Sequence, residues 1–131
     1  MRDQPEIRLA GPVVDAARPL ELASFYARLT GWTIHRSEGP RPGNPPEDGW
    51  AILGPEDRSR KIEIQWDPNH RRPTWPSEAG AQGMMMHLDF GVDDLTEGVA
   101  WAIACGATVA DHQPQDDVRV MLDPEGHPFC L

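Results

Sequence analysis

The feature that most constrains this chain is a structural pattern that occurs twice. Residues 15–34 contain an aspartate, a helical run, a glycine and then a strand, and residues 93–109 repeat that order. The turn sequence Leu-Gly-Pro-Glu at 53–56 has a counterpart in Leu-Asp-Pro-Glu at 122–125, so the similarity continues beyond the helix. The repeat predicts two half-size units of similar design. Two curved half-sheets brought together enclose a cleft, and concave clefts are where small ligands bind.

Size and charge limit the possible organisation and partners. A chain of 131 residues suits one domain that buries about 65% of its unfolded surface, whereas each half alone would be marginal. We therefore expect the halves to share one core or to pack against a half from a second chain, which predicts a homodimer. With 12 basic and 21 acidic residues the net charge is -9. This charge repels phosphate backbones and anionic lipids, so neither nucleic acid nor membrane is an expected partner.

The sequence also indicates a compartment. No apolar run approaches the roughly 18 residues that span a bilayer, and the first six residues lack the apolar stretch of a secretory signal. These features predict a cytoplasmic protein. Cys105 and Cys130 are the two cysteines, too few for a disulfide framework, so we expect reduced thiols.

Each half is predicted to run strand, helix, strand, strand, strand. In the first unit, residues 7–66, the strands are 7–14, 32–36, 49–53 and 61–66, and the helix opens at Pro19 and stops at Gly31. Residues 67–83 form the linker. In the second unit, residues 84–131, the strands are 84–92, one at Val109, 118–122 and 129–131, around a helix capped by Asp94 and stopped by Gly106. The apolar stripes of the two helices are Leu22, Phe25, Tyr26 and Leu29, and Leu95, Val99, Ala102 and Ile103.

Alternation along two strands predicts which side chains face the cleft. Side chains of a strand point to opposite faces in turn. The apolar sets that we expect beneath the helices are Ile62, Ile64 and Trp66, and Met86, Leu88 and Phe90. The polar residues between them are Glu63, Gln65, His87 and Asp89. These four residues are therefore predicted to point into the cleft.

Two motifs of the second unit carry a family resemblance. They are His-Leu-Asp-Phe-Gly-Val-Asp-Asp-Leu at 87–95 and the ending Leu-Asp-Pro-Glu-Gly-His-Pro-Phe-Cys-Leu at 122–131. With them the chain resembles the glyoxalase-like (glyoxalase, bleomycin resistance, dioxygenase) branch of the vicinal oxygen chelate superfamily, from about Leu9 to the C-terminus. It implies an α+β fold in which two βαβββ modules form a U-shaped mixed sheet around a central cleft, with helices on the outer face and usually in a dimer.

The resemblance also implies where a divalent zinc, nickel or iron ion would bind. Metalloenzymes of the superfamily place ligands on the first, fourth, fifth and eighth strands. The positions in this chain are, in that order, Leu9 or Gly11, Glu63 or Gln65, His87, and Cys130. Neither first-strand residue can bind a metal, and a cysteine stands where the superfamily often has glutamate. The usual ligand set is therefore incomplete, because a catalytic metal site needs about three protein ligands.

Each candidate residue also has an alternative structural interpretation. His87 could be a hydrogen-bonded core histidine, Glu63 could form a salt bridge, and Cys130 could pack as a small apolar residue. Trp50 and Trp66 could hold a planar ligand or serve in packing. The loop histidines His70, His112 and His127 are predicted to be solvated.

Two functional hypotheses follow, and a third possibility is a structural or accessory partner with no ligand of its own. In the first, the protein is an enzyme of lyase, isomerase or dioxygenase type that acts on a small metabolite, with Glu63 as base and His87 as metal ligand or proton carrier. In the second, it is a metal-free protein that sequesters a small molecule, as antibiotic-resistance members of the superfamily do. The residues predicted to contact the ligand are Gln65, Asp89, Trp50, Trp66 and Cys130. The missing first-strand ligand favours binding, whereas the inward polar cluster favours catalysis.

Overall fold

Each half of the chain forms one helix and one four-stranded sheet in the computed structural model, which describes residues 3–131. The elements of the first half are β1 (Val13–Ala16), α1 (Pro19–Thr30), β2 (Thr33–Glu38), β3 (Trp50–Gly54) and β4 (Ile62–Trp66). Those of the second half are β5 (Leu88–Asp89), α2 (Leu95–Cys105), β6 (Thr108–Val109), β7 (Val120–Leu122) and β8 (Pro128–Cys130).

The two sheets have the same topology. Their strand orders are β1-β4-β3-β2 and β5-β8-β7-β6. In each sheet the first and last strands of the half pair in parallel and the remaining pairs are antiparallel. The predicted α+β class and the repeated strand order are confirmed. Among residues 3–131, no strand pairing joins one sheet to the other.

Both helices begin and end where the sequence predicts. Pro19 stands in the first turn of α1, where its missing N–H costs nothing, and Gly31 ends the helix with a left-handed φ of 73°. Asp94 caps α2 by accepting a hydrogen bond from the Glu97 N–H at 3.0 Å. Neither helix is long and apolar enough to cross a bilayer.

One buried core takes side chains from both halves. Phe25 and Tyr26 of α1 are almost fully buried, and both rings contact Phe129 of β8, at centroid distances of 6.0 and 6.1 Å. Tyr26 also stacks on Phe90, just beyond β5, at 6.1 Å. Aromatic pairs at these separations add to the free energy gained by burying their area. The prediction of a shared core is therefore confirmed.

Three local predictions are wrong. The strand predicted at 7–14 begins at Val13, after Pro12, which has no N–H to donate to a ladder, and Leu9 is 95% exposed. The strand predicted at 84–92 shrinks to two paired residues, and Met86, expected beneath a helix, is 82% exposed. On α2, Ile103 is 51% exposed because the helix packs Cys105 inward instead.

Candidate functional site

The predicted alternation holds for the residues that form ladders. Ile62 and Ile64 of β4 are buried, while Glu63 is half-buried and Gln65 is exposed. In and beside β5, Leu88 and Phe90 pack against the core, and His87 and Asp89 are exposed. The period of two therefore separates the polar residues from the core, as predicted.

Three side chains of the second sheet form a polar cluster at one end of β5. The His87 Nε2 lies 3.1 Å from the Asp89 Oδ1. Because β5 and β8 run in parallel with Asp89 opposite Cys130, the thiol joins this pair, and one ligand atom from each residue lies within 4.8 Å of the other two. We call these three residues the His87–Asp89–Cys130 cluster. It unites three residues that the sequence singled out.

The cluster fits a zinc-like ion better than a hard cation. It offers one nitrogen, one oxygen and one sulfur, and three protein ligands with a free position are the usual number for catalytic zinc. Burial raises the pKa of the Cys130 thiol, and the charge of Asp89 and a hydrogen bond to it act in the same direction. Metal binding must therefore displace a proton from sulfur, which makes the expected affinity higher at alkaline pH.

A cavity of about 660 Å³, which we call the main cavity, lies beside this cluster. It is bounded by residues 9–15, by residues 70–73 of the linker, by residues 82–88 and by the turn before β8, which comprises residues 123–127. His87 lines it, together with the apolar side chains of Met84, Met85 and Met86. A second cavity of about 650 Å³ is lined by Asp89 and shares Leu88 with the first. The cluster therefore lies between two ligand-sized spaces.

The turn before β8 carries a buried network that the sequence did not predict. The side chain of Asp123 is fully buried, and its Oδ2 accepts a hydrogen bond from the Tyr26 hydroxyl at 2.6 Å. The same oxygen accepts from the His127 Nδ1 at 2.9 Å, and the Asp123 Oδ1 accepts from the backbone N–H groups of Glu125 and His127. Burial, together with the charge of Asp123 and the hydrogen bond to it, raises the pKa of Tyr26 well above its usual value. The network joins the last turn of the chain to α1.

Two histidines predicted to be solvated are instead half-buried in this network. His127 also hydrogen-bonds through Nε2 to the backbone oxygen of Asp15 at 2.8 Å, and its ring stacks on His70 at 4.7 Å. Burial alone would lower the His127 pKa, but the bonds to Asp123 and Asp15 and the charges of Asp123 and Glu125 outweigh it, so the pKa is raised. The prediction for His70 and His127 is wrong because contacts between residues distant in sequence, His70 with Glu125 and His127 with the Asp15 backbone oxygen, help to enclose both rings.

Glu125 connects the same turn to the start of α1. Its carboxylate accepts hydrogen bonds from the backbone N–H groups of Ala17 and Arg18, at 3.2 and 2.7 Å. Arg18, at the N-cap, provides no capping side chain of its own. Glu125 therefore supplies from a distance the negative charge and the acceptor that a helix N-terminus favours.

The other predicted site residues lie on the first sheet. Glu63 pairs in register with Val13 and Ile52 and lines neither cavity, and the Gln65 amide donates to the Asp15 carboxylate at 2.8 Å. Trp50, also absent from both cavities, donates to Glu38 at 3.3 Å and packs beneath the Arg36 guanidinium. Trp66 is half-buried at the end of β4.

The residues that sequence reasoning missed are Tyr26, Asp123, Glu125 and His127. A signal for them was present, because the turn containing the last three residues is also part of the motif that carries the family resemblance. A buried acid needs hydrogen-bond donors, and a turn rich in polar residues next to an apolar strand is one place to look for them.

Comparison with known proteins decides the family. The model of the glyoxalase-like domain matches residues 12–131. The chain belongs to this family. No curated protein sequence matches it.

Solved structures place this glyoxalase-like chain in the same fold. A glyoxalase family protein from Enterococcus faecalis has a TM-score of 0.67 at 22% identity, over 95% of each chain. Trypanothione-dependent glyoxalase I from Leishmania major has a TM-score of 0.63 at 21% identity, over 96% of this chain and 86% of that protein. A mutant of the fosfomycin resistance protein FosX from Listeria monocytogenes, complexed with Mn(II) and 1S,2S-dihydroxypropylphosphonic acid, has a TM-score of 0.65 at 11% identity, over 95% of this chain and 87% of that protein. These neighbours share the vicinal oxygen chelate fold.

Proposed function

We propose that this glyoxalase-like chain binds a small molecule in its main cavity, beside the His87–Asp89–Cys130 cluster. The observation that carries the proposal is a cavity of about 660 Å³ with apolar walls and an imidazole at its edge. Small-molecule sites usually measure about 300–1,000 Å³ and combine apolar walls with a few polar groups. The structural neighbours that act on or hold small molecules support the same conclusion.

A cavity-filling substitution tests this proposal. Gly83 lines the main cavity, and a side chain added there would meet no atom within 4 Å, so Gly83→Trp fills the space without a backbone clash. Gly39→Trp is the matched control, because Gly39 has equally open surroundings but lies outside the cavity. Compounds from a chemically broad panel that stabilise the wild type against heat should bind Gly83→Trp about tenfold more weakly and Gly39→Trp normally.

Two results would contradict the proposal. One is that no compound of the panel binds the wild type at millimolar concentration. The other is that the compounds that do bind have the same affinity for Gly83→Trp as for the wild type, which would place their site elsewhere.

A second candidate function, metal-assisted catalysis, is supported by the donor set of the cluster. His87, Asp89 and Cys130 would hold the ion, and a bound zinc ion would act as a Lewis acid or activate a water molecule. Reactions of lyase, isomerase or dioxygenase type are the corresponding enzymatic proposals. His87 has the better position for a catalytic role, since Glu63 lines neither cavity.

Metal analysis separates metal-assisted catalysis from metal-free sequestration. Protein purified without a histidine tag and dialysed against zinc should retain about one ion per chain, as a single catalytic site requires. His87→Ala should lose this ion, whereas the exposed His112→Ala should keep it. An unchanged zinc content in His87→Ala, or no stoichiometric metal in the wild type, would reject the metal site and leave the sequestering function.

We also propose a homodimer. Leu9, Met85 and Met86 are 95%, 95% and 82% exposed, and all three line the main cavity, which supports cover by a second chain. Sedimentation equilibrium should report twice the chain mass at micromolar concentration. A stable monomer under these conditions would reject the dimer.

A further inference from the structure

The main cavity has a charge character that differs from that of the whole chain. The chain carries a net charge of -9. Among the side chains that line the main cavity, however, basic types outnumber carboxylates, and the ionisable ones are Asp15, Tyr26, His70, Arg71, His87 and His127. The sole carboxylate, that of Asp15, already accepts the Gln65 amide. The described lining of the cavity therefore offers one permanently charged cation, Arg71, beside a carboxylate that is already engaged.

The three histidines of this region each have an acidic partner. His127 bonds to Asp123 at 2.9 Å, and His87 lies 3.1 Å from Asp89. The His70 Nε2 lies 3.7 Å from the Glu125 carboxylate. Their charges, where present, are largely matched within the protein.

Arg71 is different. It lines the main cavity and is exposed, and it makes no salt bridge with any residue from 3 to 131. Its neighbour Arg72 is used structurally, because its Nη1 donates to the backbone oxygen of Pro124 at 2.9 Å. The linker thus presents one arginine to the turn before β8 and another to the cavity. A guanidinium is always charged and pairs in a two-pronged manner with carboxylate or phosphate.

The remaining cavity wall suits an apolar group. Leu9, Pro12, Pro73 and the three consecutive methionines at 84–86 contribute to it. Methionine side chains are flexible and polarisable, so they adapt to ligands of different outline. Contacts with these methionines can add to the affinity for a ligand without requiring one particular ligand shape.

We propose that the main cavity selects hydrophobic organic anions, holding the apolar body against Met84–Met86 and a carboxylate, phosphate or phosphonate group on the Arg71 guanidinium. This inference rests on the proposed function, because it assigns a ligand class to the same cavity. It makes Arg71, on the linker, the residue that determines specificity.

Calorimetric titration with matched probes tests the assignment. Naphthoate and naphthamide share one apolar body and differ in charge, while naphthyl phosphate and inorganic phosphate test the anionic group with and without that body. The wild type should bind naphthoate or naphthyl phosphate about tenfold more tightly than naphthamide, and the tighter of the two identifies the preferred anionic group. Inorganic phosphate alone should bind more weakly than naphthyl phosphate.

Two variants with the same net charge test whether the preference for anions arises at Arg71, and a third tests the guanidinium itself. Arg71→Gln should remove the preference for the anions and leave the naphthamide affinity within about twofold, since only a charge-assisted contact is lost. Arg58→Gln, in the turn before β4 and outside both cavities, changes the net charge equally and should keep the preference. Arg71→Lys should retain part of it, because an ammonium attracts an anion without two-pronged pairing.

The outcomes separate this inference from the function on which it rests. Equal affinity for naphthamide and the anions, or a preference that survives in Arg71→Gln, would overturn the inference while leaving a small-molecule site in place. Absence of binding by every probe would overturn the inference, and if the broader compound panel also fails, the proposed function falls with it.

Discussion

The two halves repeat one topology but are held together in different ways. The strands of the first sheet contain four to six residues, whereas those of the second contain two or three. β1 and β4 pair over four residues, and their counterparts β5 and β8 pair over two. In the second half, side-chain hydrogen bonds from the turn before β8 supplement the short ladders by joining that turn to β1 and α1.

This difference bears on function. The second half carries the His87–Asp89–Cys130 cluster, and the segments before its first strand line the main cavity. Regions with few ladder bonds open more easily, and ligand sites are commonly drawn from such regions. We therefore expect the first half to be the more rigid support, and the turn before β8 to set how firmly the second half is fixed to it.

The largest expected effect among the polar residues of this turn is at Asp123. Asp123→Ala should lower the free energy of unfolding by about 3 kcal/mol, because it leaves the buried Tyr26 hydroxyl and the His127 ring without their acceptor. Urea unfolding followed by circular dichroism measures the change. Asp117→Ala, at an exposed position, is the control and should change it by less than about 0.5 kcal/mol. Equal effects of the two variants would show that the turn does not hold the two halves together.

The next largest change in the free energy of unfolding is expected at Glu125. Glu125→Ala should cost about 1 to 2 kcal/mol, because the N–H groups of Ala17 and Arg18, just before α1, lose their acceptor and the N-terminus of α1 loses a favourable charge. The same unfolding measurement applies, with the exposed Glu47→Ala as control. A cost no larger than that of the control would mean that water caps α1 equally well.

A smaller effect is expected from pH. The His127 pKa is raised in the folded state, above the value of about 6.5 typical of an unfolded chain. Its contribution to stability is therefore fully present below about pH 6.5 and is lost as pH rises through the folded pKa. The unfolding free energy, measured from mildly acidic to mildly alkaline pH, should fall over this window in the wild type and less steeply in His127→Gln. Identical slopes would contradict the raised pKa.

The smallest effect should be at Met86. At protein concentrations below the dissociation constant of the proposed dimer, Met86→Ser should change the unfolding free energy by less than about 0.5 kcal/mol, because the side chain is exposed in the single chain. Met121→Ala, in the buried part of β7, should cost about 2 to 5 kcal/mol by comparison. A loss above about 1 kcal/mol at Met86 would indicate that the segment before β5 packs against the core after all.

The sequence predicted the features that depend on local pattern. The apolar stripe of α1, the left-handed Gly31 and the Asp94 cap all follow from neighbouring residues, and the structure confirms them. The alternation at 62–65 separated buried from polar residues correctly. Alternation failed at 84–86, because it does not reveal whether a partner strand lies alongside, and the pairing of β5 begins only at Leu88.

The candidate site was predicted only in part, because local patterns reveal some of its residues and tertiary contacts determine the others. His87, Asp89 and Cys130 were all chosen from strand position or family resemblance, and the structure brings them together. Tyr26 and Asp123 are 97 residues apart, and no local pattern links them. The sequence does not show which of the two adjacent linker arginines faces the cavity. The structure does, because Arg72 donates to the Pro124 backbone oxygen and Arg71 lines the cavity.

The most direct test of the ligand site uses the methyl resonances of the methionines. Met84, Met85 and Met86 line the main cavity, whereas Met121 lies buried in the core outside it and serves as an internal control. Titration with the tightest compound of the panel should shift the three cavity methyls saturably, with one dissociation constant, and leave Met121 nearly unchanged. A saturating ligand that shifts Met121 alone, or none of these methyls, would contradict a ligand site in the main cavity.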